Sequence, residues 1–400
     1  MQFILINQYY PPDVAPTGLM LEAVAEALVN KGHQVTVLCA EGGYGGSGTT
    51  EDSPSGGRPG IRIERIRATG FGRGSAVTKM ADYLTFYLGV AVKLATLKPR
   101  PDRVVALTTP PYLSLLARLI SKLRGADHAH WVMDLYPDVM VAHGMLRNHS
   151  LAARLLQWLA RFGFGGRRCR MVMSLGPDMD ERLMTYLKPG TPHSWIPLWG
   201  TAASPTTHGA KPHPSADPCQ DAPLVLMYSG NMGLGHRFGE FLDASGRRES
   251  RIRWRFNGEG KRRREIEEFI RRNPDAPVEL GGYVPHAGLT EHLLSADVHL
   301  ASLDPVWDGT MVPSKLQGIF AMGRPVIFVG SATSAMGRWI TGSGGGWVVP
   351  PNDSNSMAQV LKQAADPEER KRRGDAALAY SSHHFDRKVN SERIAEAFCR

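Results

Sequence analysis

Tyr228-Ser229-Gly230-Asn231-Met232-Gly233-Leu234-Gly235-His236-Arg237 is a glycine-rich turn between an apolar run and a helical pattern. Such a turn offers backbone N–H groups and a positive helix end to a phosphate. Its glycine spacing departs from the dinucleotide fingerprint, which argues against a nicotinamide cofactor. Gly230, Asn231 and Gly233 are the candidate backbone contacts. Arg237 suits a phosphate in forked geometry, or a plain surface position. A second group is Thr310-Met311-Val312-Pro313-Ser314-Lys315, a loop entering a helix. Pro313 and Ser314 suit the helix start, where N–H groups can hold an anion, and Gly323 suits its end. Ser314 and Lys315 are the polar candidates for contact with such an anion. Phe256-Asn257-Gly258-Glu259-Gly260-Lys261 and Leu280-Gly281-Gly282-Tyr283-Val284 are glycine turns at strand ends. Lys261 could reach a phosphate, but it opens a charge run that also reads as a solvated helix face.

In the first half, Asp134 and Asp138 follow the run His130-Trp131-Val132-Met133. A carboxylate just past a strand can accept a hydrogen bond from a ligand hydroxyl. Each Asp equally suits a turn or a helix cap. Thr17 and Gly18 close a long loop after the first strand, where open α/β sheets bind ligands.

These residues need elements to hold them. Phe3–Ile6, a helix through Leu28 and Gln34–Leu38 read as a βαβ unit, so a parallel sheet is expected. Residues 102–107, 130–133 and 171–174 read as further strands. Residues 201–223 are dense in Thr, Ala, Ser, Pro and His and predict a linker. Strands are then expected at 224–228, 252–256, 278–280, 298–300 and 325–329. The expected division is 1–200, a linker at 201–223, a second domain at 224–375, and a C-terminal helix from 376. Residues 41–60 predict a mobile loop.

The chain has 400 residues, enough for two domains, and 42% hydrophobic content for two cores. No apolar run is long enough to span a bilayer. The N-terminus reads as a first strand rather than a secretory signal. Cys39, Cys169, Cys219 and Cys399 lack paired spacing, so neither a zinc site nor a disulfide framework is expected, and a reducing cytoplasm fits. A net charge of +9 suits phosphorylated substrates or an anionic membrane face. No zinc-finger spacing or RNA-recognition motif supports nucleic acid. Two segments could meet a membrane: the apolar run Tyr83–Val92, and Leu151–Phe162, whose Arg154, Gln157 and Arg161 share one face. The second also fits a helix packed on its own sheet.

The opening βαβ unit with Lys31-Gly32-His33-Gln34-Val35, the loop at 228–237 and Pro313-Ser314-Lys315 with Gly323-Arg324-Pro325-Val326 together resemble retaining family 4 glycosyltransferases. His130 to Asp138 is similar to their WbuB-like bacterial branch of O-antigen and capsule synthesis. The resemblance implies a GT-B fold: α/β, two Rossmann-like domains facing each other across a cleft, with the C-terminal helix crossing back. It implies a nucleotide-diphosphate sugar donor on the second domain. Asp134, Arg237 and Lys315 would then be catalytic. Thr17, Gly18, Asp138, Gly230, Asn231, Gly233, Lys261, Tyr283, Val284, Thr310, Met311, Pro313 and Ser314 would bind substrate. The family's Glu-x7-Glu pair is replaced by Thr310 and Gly318. A lipid-linked saccharide acceptor and peripheral contact with the inner membrane face are implied, with no cofactor or metal. A sugar-nucleotide epimerase or hydrolase, or a non-catalytic subunit, would keep the same fold.

Overall fold

The computed structural model describes residues 1–13, 15–41, 59–67, 69, 76–200, 223–246, 251–285 and 288–400. The expected linker, apart from Pro223, and most of the 41–60 loop lie outside these residues, as does Cys219. The chain divides into two compact units. One comprises Met1–Pro197 with Arg387–Arg400, the other Leu198–Asp386.

The first unit runs β1 (Gln2–Ile6), α1 (Pro16–Asn30), β2 (Gln34–Glu41), β3 (Ile61–Arg67), α2 (Ala76–Thr96), β4 (Arg103–Ala106), α3 (Leu113–Arg124), β5 (Asp127–Trp131), α4 (Asp138–Ala142), α5 (Leu151–Phe164), β6 (Cys169–Ser174), α6 (Pro177–Met184) and β7 (His193–Trp195). Its sheet has the order β3-β2-β1-β4-β5-β6-β7 and every pairing is parallel. Central strands are buried on both faces, which is why β1 and β4 read as apolar runs rather than alternating ones. The core under α2 and α3 joins Ile4, Ile6, Leu38 and Val104 to Phe86, Val90, Leu94 and Leu113.

The second unit runs β8 (Leu224–Ser229), α7 (Gly239–Ser245), β9 (Ile252–Asn257), α8 (Arg263–Arg272), β10 (Val278–Gly281), α9 (Leu289–Leu294), β11 (Val298–Ser302), α10 (Lys315–Ala321), β12 (Val326–Val329), α11 (Ala335–Ser343), β13 (Gly346–Val349), α12 (Ser354–Ala365) and α13 (Pro367–His384). Its parallel sheet has the order β10-β9-β8-β11-β12-β13. In both sheets the strand order reverses beside the first strand: between β1 and β4, and between β8 and β11. Crevices at the carboxyl ends of such switch points are where open α/β sheets hold ligands.

The last helix, α14 (Arg387–Cys399), belongs to the first unit. It starts at 387 rather than 376, because 376–384 continue α13 and bury Ala377 and Ser381. Ile394 and Phe398 are fully buried, and Phe398 meets Trp131 edge-on. The Phe398 carbonyl accepts from Arg103, and Lys31 pairs with Glu396 at 2.8 Å. His33, at the turn before β2, places Nε2 3.2 Å from the Cys399 thiol. The strand expected at 130–133 lies at 127–131, so Asp134 sits in the loop beyond it. β3, β7 and β13 have no counterpart in the sequence reading. β7 is only His193–Trp195, and β3 is mostly polar, Ile61-Arg62-Ile63-Glu64-Arg65-Ile66-Arg67.

Candidate functional site

Lys315 is the first residue of α10, and its side chain crosses to the glycine-rich turn after β8. Nζ donates to the Tyr228 hydroxyl and to the Asn231 carbonyl at 3.1 Å, and lies 3.7 Å from the Tyr228 ring centroid. All of these partners are neutral. Burial pushes the Lys315 ammonium well below its ordinary pKa, and no carboxylate opposes the shift. A half-buried lysine with no carboxylate partner among the described residues suits an anion, whose charge would raise its pKa again. Tyr228 is fully buried, its hydroxyl donates to the Asn231 carbonyl at 2.6 Å, and burial keeps it protonated.

Close backbone packing sets the shape of the turn. Gly230 has φ +127°, and a Cβ there would lie 2.8 Å from Lys315 Cε. Gly258 has φ +141°, and its Cβ would lie 2.0 Å from the Gly230 carbonyl oxygen. The N–H groups of Gly230 and Met232 donate to Asn257 and Glu259 at 2.9 and 2.8 Å. These two are therefore not offered to a ligand, and the expected cradle shrinks to the N–H groups of Asn231 and Gly233. α10 has only seven residues, so its dipole adds little beside the charge of Lys315.

His236 was not singled out by its sequence context, a histidine in a flexible-looking turn. It is buried at the end of β11, with Nδ1 2.7 Å from the Ser302 carbonyl, and its ring meets Tyr228 edge-on. Burial, with Lys315 nearby, lowers its pKa to about 3, so it is neutral. Arg237 points elsewhere. Its guanidinium is shared by Glu240 at 2.6 Å, Asp304 at 3.2 Å and the Asn352 side chain at 2.9 Å. A cation already flanked by two carboxylates has little charge left for a diphosphate. The cavity of about 430 Å³ beside Arg237 also holds Arg262, Glu240, Asp243 and Glu265, and Lys315 does not line it.

The other second-unit candidates are scattered. Thr310 is fully buried and its hydroxyl donates to the Trp307 carbonyl at 2.8 Å, so it braces its own turn. Met311 is half-buried, Pro313 buried and Ser314 exposed, with no capping bond from its hydroxyl. Lys261 is exposed just before α8, where Arg263 pairs with Glu259 and Glu267 as a solvated face predicts. Tyr283 is exposed and Val284 half-buried past β10.

In the first unit, Asp134 lies past β5. Its N–H and that of Met133 donate to Thr108 Oγ1, both at 3.2 Å. Burial alone raises its carboxyl to about 6, with no cation offsetting it. Asp138 is different: Arg182 donates to it at 2.7 Å and the Tyr186 hydroxyl donates to its other oxygen, which ties α4 to α6. Thr17 accepts from Asn7 at 3.3 Å. A Cβ at Gly18 would lie 3.1 Å from the Tyr9 carbonyl oxygen, so this glycine admits its own loop rather than a ligand.

The chain carries an Asp-x-Asp triplet, Asp178-Met179-Asp180, a pattern that in some transferases holds a divalent ion. It forms the first turn of α6, where Asp180 engages Ser174 and His193, both at 3.1 Å. Among the described residues, His128, His130 and Cys169 have ligand atoms within 4.8 Å of one another, all buried. Burial holds the histidines neutral and raises the thiol to about 12, and Arg118 lies close to all three. A divalent cation there would add to a charge already present, so the group reads as packing.

Residues 17–199 match a family model described as "Glycosyl transferase 4-like domain", and 223–366 match "Glycosyl transferases group 1". A protein of Pseudomonas aeruginosa, "Probable glycosyltransferase WbjE", is 26% identical over 287 residues, 69% of each chain. Solved structures share the fold. Sucrose-phosphate synthase from Thermosynechococcus elongatus has a TM-score of 0.73 at 15% identity, covering 100% of this chain and 98% of its own. HepE of Anabaena, in complex with UDP, gives 0.69 at 12% identity, covering 100% of both. WaaG, a glycosyltransferase involved in lipopolysaccharide biosynthesis, gives 0.65 at 16%, covering 100% of this chain and 99% of its own.

Proposed function

This chain belongs to the GT-B glycosyltransferases of the family 4 type, and from that premise we propose a retaining transfer to a lipid-linked saccharide acceptor during cell-surface polysaccharide synthesis. The donor is a nucleotide-diphosphate sugar bound by the second unit. The observation that carries this reading is Lys315, half-buried beside the 230–233 turn with no carboxylate partner among the described residues. A diphosphate supplies the missing charge. As the glycosidic bond to the diphosphate breaks, negative charge grows on the leaving oxygen. Lys315 and the N–H groups of Asn231 and Gly233 meet it without rearrangement, the preorganisation that commonly contributes most to catalysis. Arg237 supports the turn from behind through Asp304 and Glu240. Asp134 accepts a hydrogen bond from a sugar hydroxyl in the first unit. HepE's UDP makes uridine nucleotides the first donors to test. The WbuB-like branch, and a reaction without a divalent ion, belong to the same proposal.

The test is thermal stabilisation by UDP-, GDP- and dTDP-sugars, compared between the parent chain and Lys315→Ala. A shift with one nucleotide family, lost in the variant, is expected. No shift with any of them would overturn the donor site. Sugar release without an acceptor would instead point to a hydrolase.

A further inference from the structure

We propose that the first unit carries a second anion site, built from arginines at the amino ends of β4, β5 and β6, which takes the phosphate group of a small phosphorylated molecule. Open α/β sheets hold ligands at the carboxyl ends of their strands, and Asp134 lies there, past β5. The opposite end has a pocket of its own, about 660 Å³, whose lining includes Arg100, Asp102, Gly125, Asp127, Arg168 and Arg170. The length of β5, about 13 Å at the usual strand rise, keeps it apart from the loop of Asp134.

The arginines converge on a carboxylate and a glycine. Asp127, the first residue of β5, is shared by three guanidiniums: Arg170 at 2.8 Å, with Arg103 and Arg168 each at 3.7 Å. Arg168 also donates to the Gly125 carbonyl at 2.8 Å. Arg100 lies against the same glycine, where a Cβ would collide with its Nη2. Gly125 ends α3 at φ +64°, so a residue suited to a left-handed turn also admits Arg100. Arg100 has no ion-pair or hydrogen-bond partner among the described residues. Asp102 is the second carboxylate of the lining, and it already accepts from the Gln2 N–H at 2.7 Å. Four guanidiniums therefore face two carboxylates. Cations crowded on one carboxylate and one carbonyl repel each other, and an anion among them relieves that repulsion. The unopposed charge matches a phosphate monoester, which carries roughly two negative charges near neutral pH. Its oxygens also suit the forked donors of arginine, a geometry that chloride does not use. Arg100, Arg168 and Arg170 are exposed, so the ligand enters from solvent.

Melting of the full chain is followed with glycerol 3-phosphate, inorganic phosphate or potassium chloride at matched ionic strength, in a Lys315→Ala background that removes the proposed donor contact. Both phosphates should raise the melting temperature, and chloride should not. Arg100→Gln/Arg170→Gln in that background should weaken glycerol 3-phosphate binding at least about tenfold, the loss of a charge-assisted hydrogen bond or more. The same pair of substitutions in the parent chain should keep the nucleotide-sugar shift, so failure of this site and failure of the donor site are told apart. Phenylglyoxal labelling of the parent, read by peptide mass, needs no variant. Glycerol 3-phosphate should protect Arg100 and Arg170 severalfold, while Arg264, exposed on α8, stays labelled. Equal shifts with chloride and phosphate, an unchanged shift in the arginine pair, or no protection beyond that of Arg264 would overturn the site. Protection by phosphatidic acid vesicles but not by glycerol 3-phosphate would put the phosphate on a lipid and overturn the soluble ligand.

Discussion

Lys315 in the second unit and Asp134 in the first are half-buried, and burial shifts each with no counter-charge among the described residues. Both destabilise the ligand-free fold, and uncompensated charge of this type gathers at functional sites. For Lys315 the folded pKa lies below the unfolded value. The unfolded chain therefore binds more protons between the two, and stability rises with pH through that window. Lys315→Met should remove this slope and hold or raise the melting temperature at neutral pH. It should also weaken nucleotide-diphosphate binding about 10- to 100-fold, the range for a lost hydrogen bond to a charged group. A variant that loses both stability and binding would indicate a structural lysine instead. Asp134 has the opposite sign. Its carboxyl rises from 3.8 to about 6, so its stabilising contribution is present at acid pH and lost as pH climbs through that interval. The cost at neutral pH is on the order of 3 kcal/mol at most. Asp134→Asn should gain up to that amount at pH 7.5, gain nothing at pH 3.5, and erase a rising limb of kcat/KM near pH 6. A pH–rate profile shared by parent and variant would remove Asp134 from the reaction. The sequence offered both residues because a Lys at a helix start and an Asp past a strand are positions with chemistry. It could not rank them above Arg237 or Asp138. Those two are engaged by partners distant in sequence, Asp304 for one and Arg182 with Tyr186 for the other.

The elements that build the 230–233 turn meet through backbone, and that makes the next prediction a glycine one. β8 and β9 end side by side, and Gly258 brings its turn against the Gly230 carbonyl. Gly258→Ala places a Cβ 2.0 Å from that oxygen and strains a φ of +141°, so the 230–233 turn must move. Nucleotide-sugar stabilisation should disappear, and folding stability should fall by about 1–3 kcal/mol, the usual cost of such strain. Gly342→Ala is the control: it has nothing within 4 Å of its Cβ and lies in α11, so it should leave binding unchanged and hold or slightly raise stability. Equal behaviour of the two variants would mean the turn tolerates displacement. This part of the fold was legible early. Strand, glycine turn and helix recur in order, and apolar runs of four to six residues fit strands buried on both faces. What the pattern could not supply was the orientation of helices. α5 has the spacing of an amphipathic helix whichever side it turns inward. Only packing reveals that alanine and glycine face the sheet while Leu155 and Trp158 face out.

At the scale of the whole chain, the order of the sequence and the order of the fold part company at residue 387. The chain completes its second unit and then returns α14 to the first, 190 residues after that unit's other residues end at Pro197. Composition marked the division near 200, because a tract of Pro, Ser, Thr and His cannot bury a core. It placed the C-terminal helix too early, because α13 and α14 are both polar-rich helical patterns separated by little more than Phe385 and Asp386. The return has an energetic consequence that can be measured. Ile394 and Phe398 are fully buried in α14, and Phe398 also presents its carbonyl to the buried Arg103 guanidinium. Phe398→Ala leaves a cavity beside Trp131 and should cost about 3–5 kcal/mol. That cost should fall on the first unit alone. Calorimetry of the parent and variant should show one transition moving down while the other holds, and the UDP-sugar shift should stay with the one that holds. Limited proteolysis of the variant should cut first within residues 1–197. If the loss falls on the transition that the nucleotide sugar stabilises, α14 supports the second unit, and the division of the chain must be redrawn.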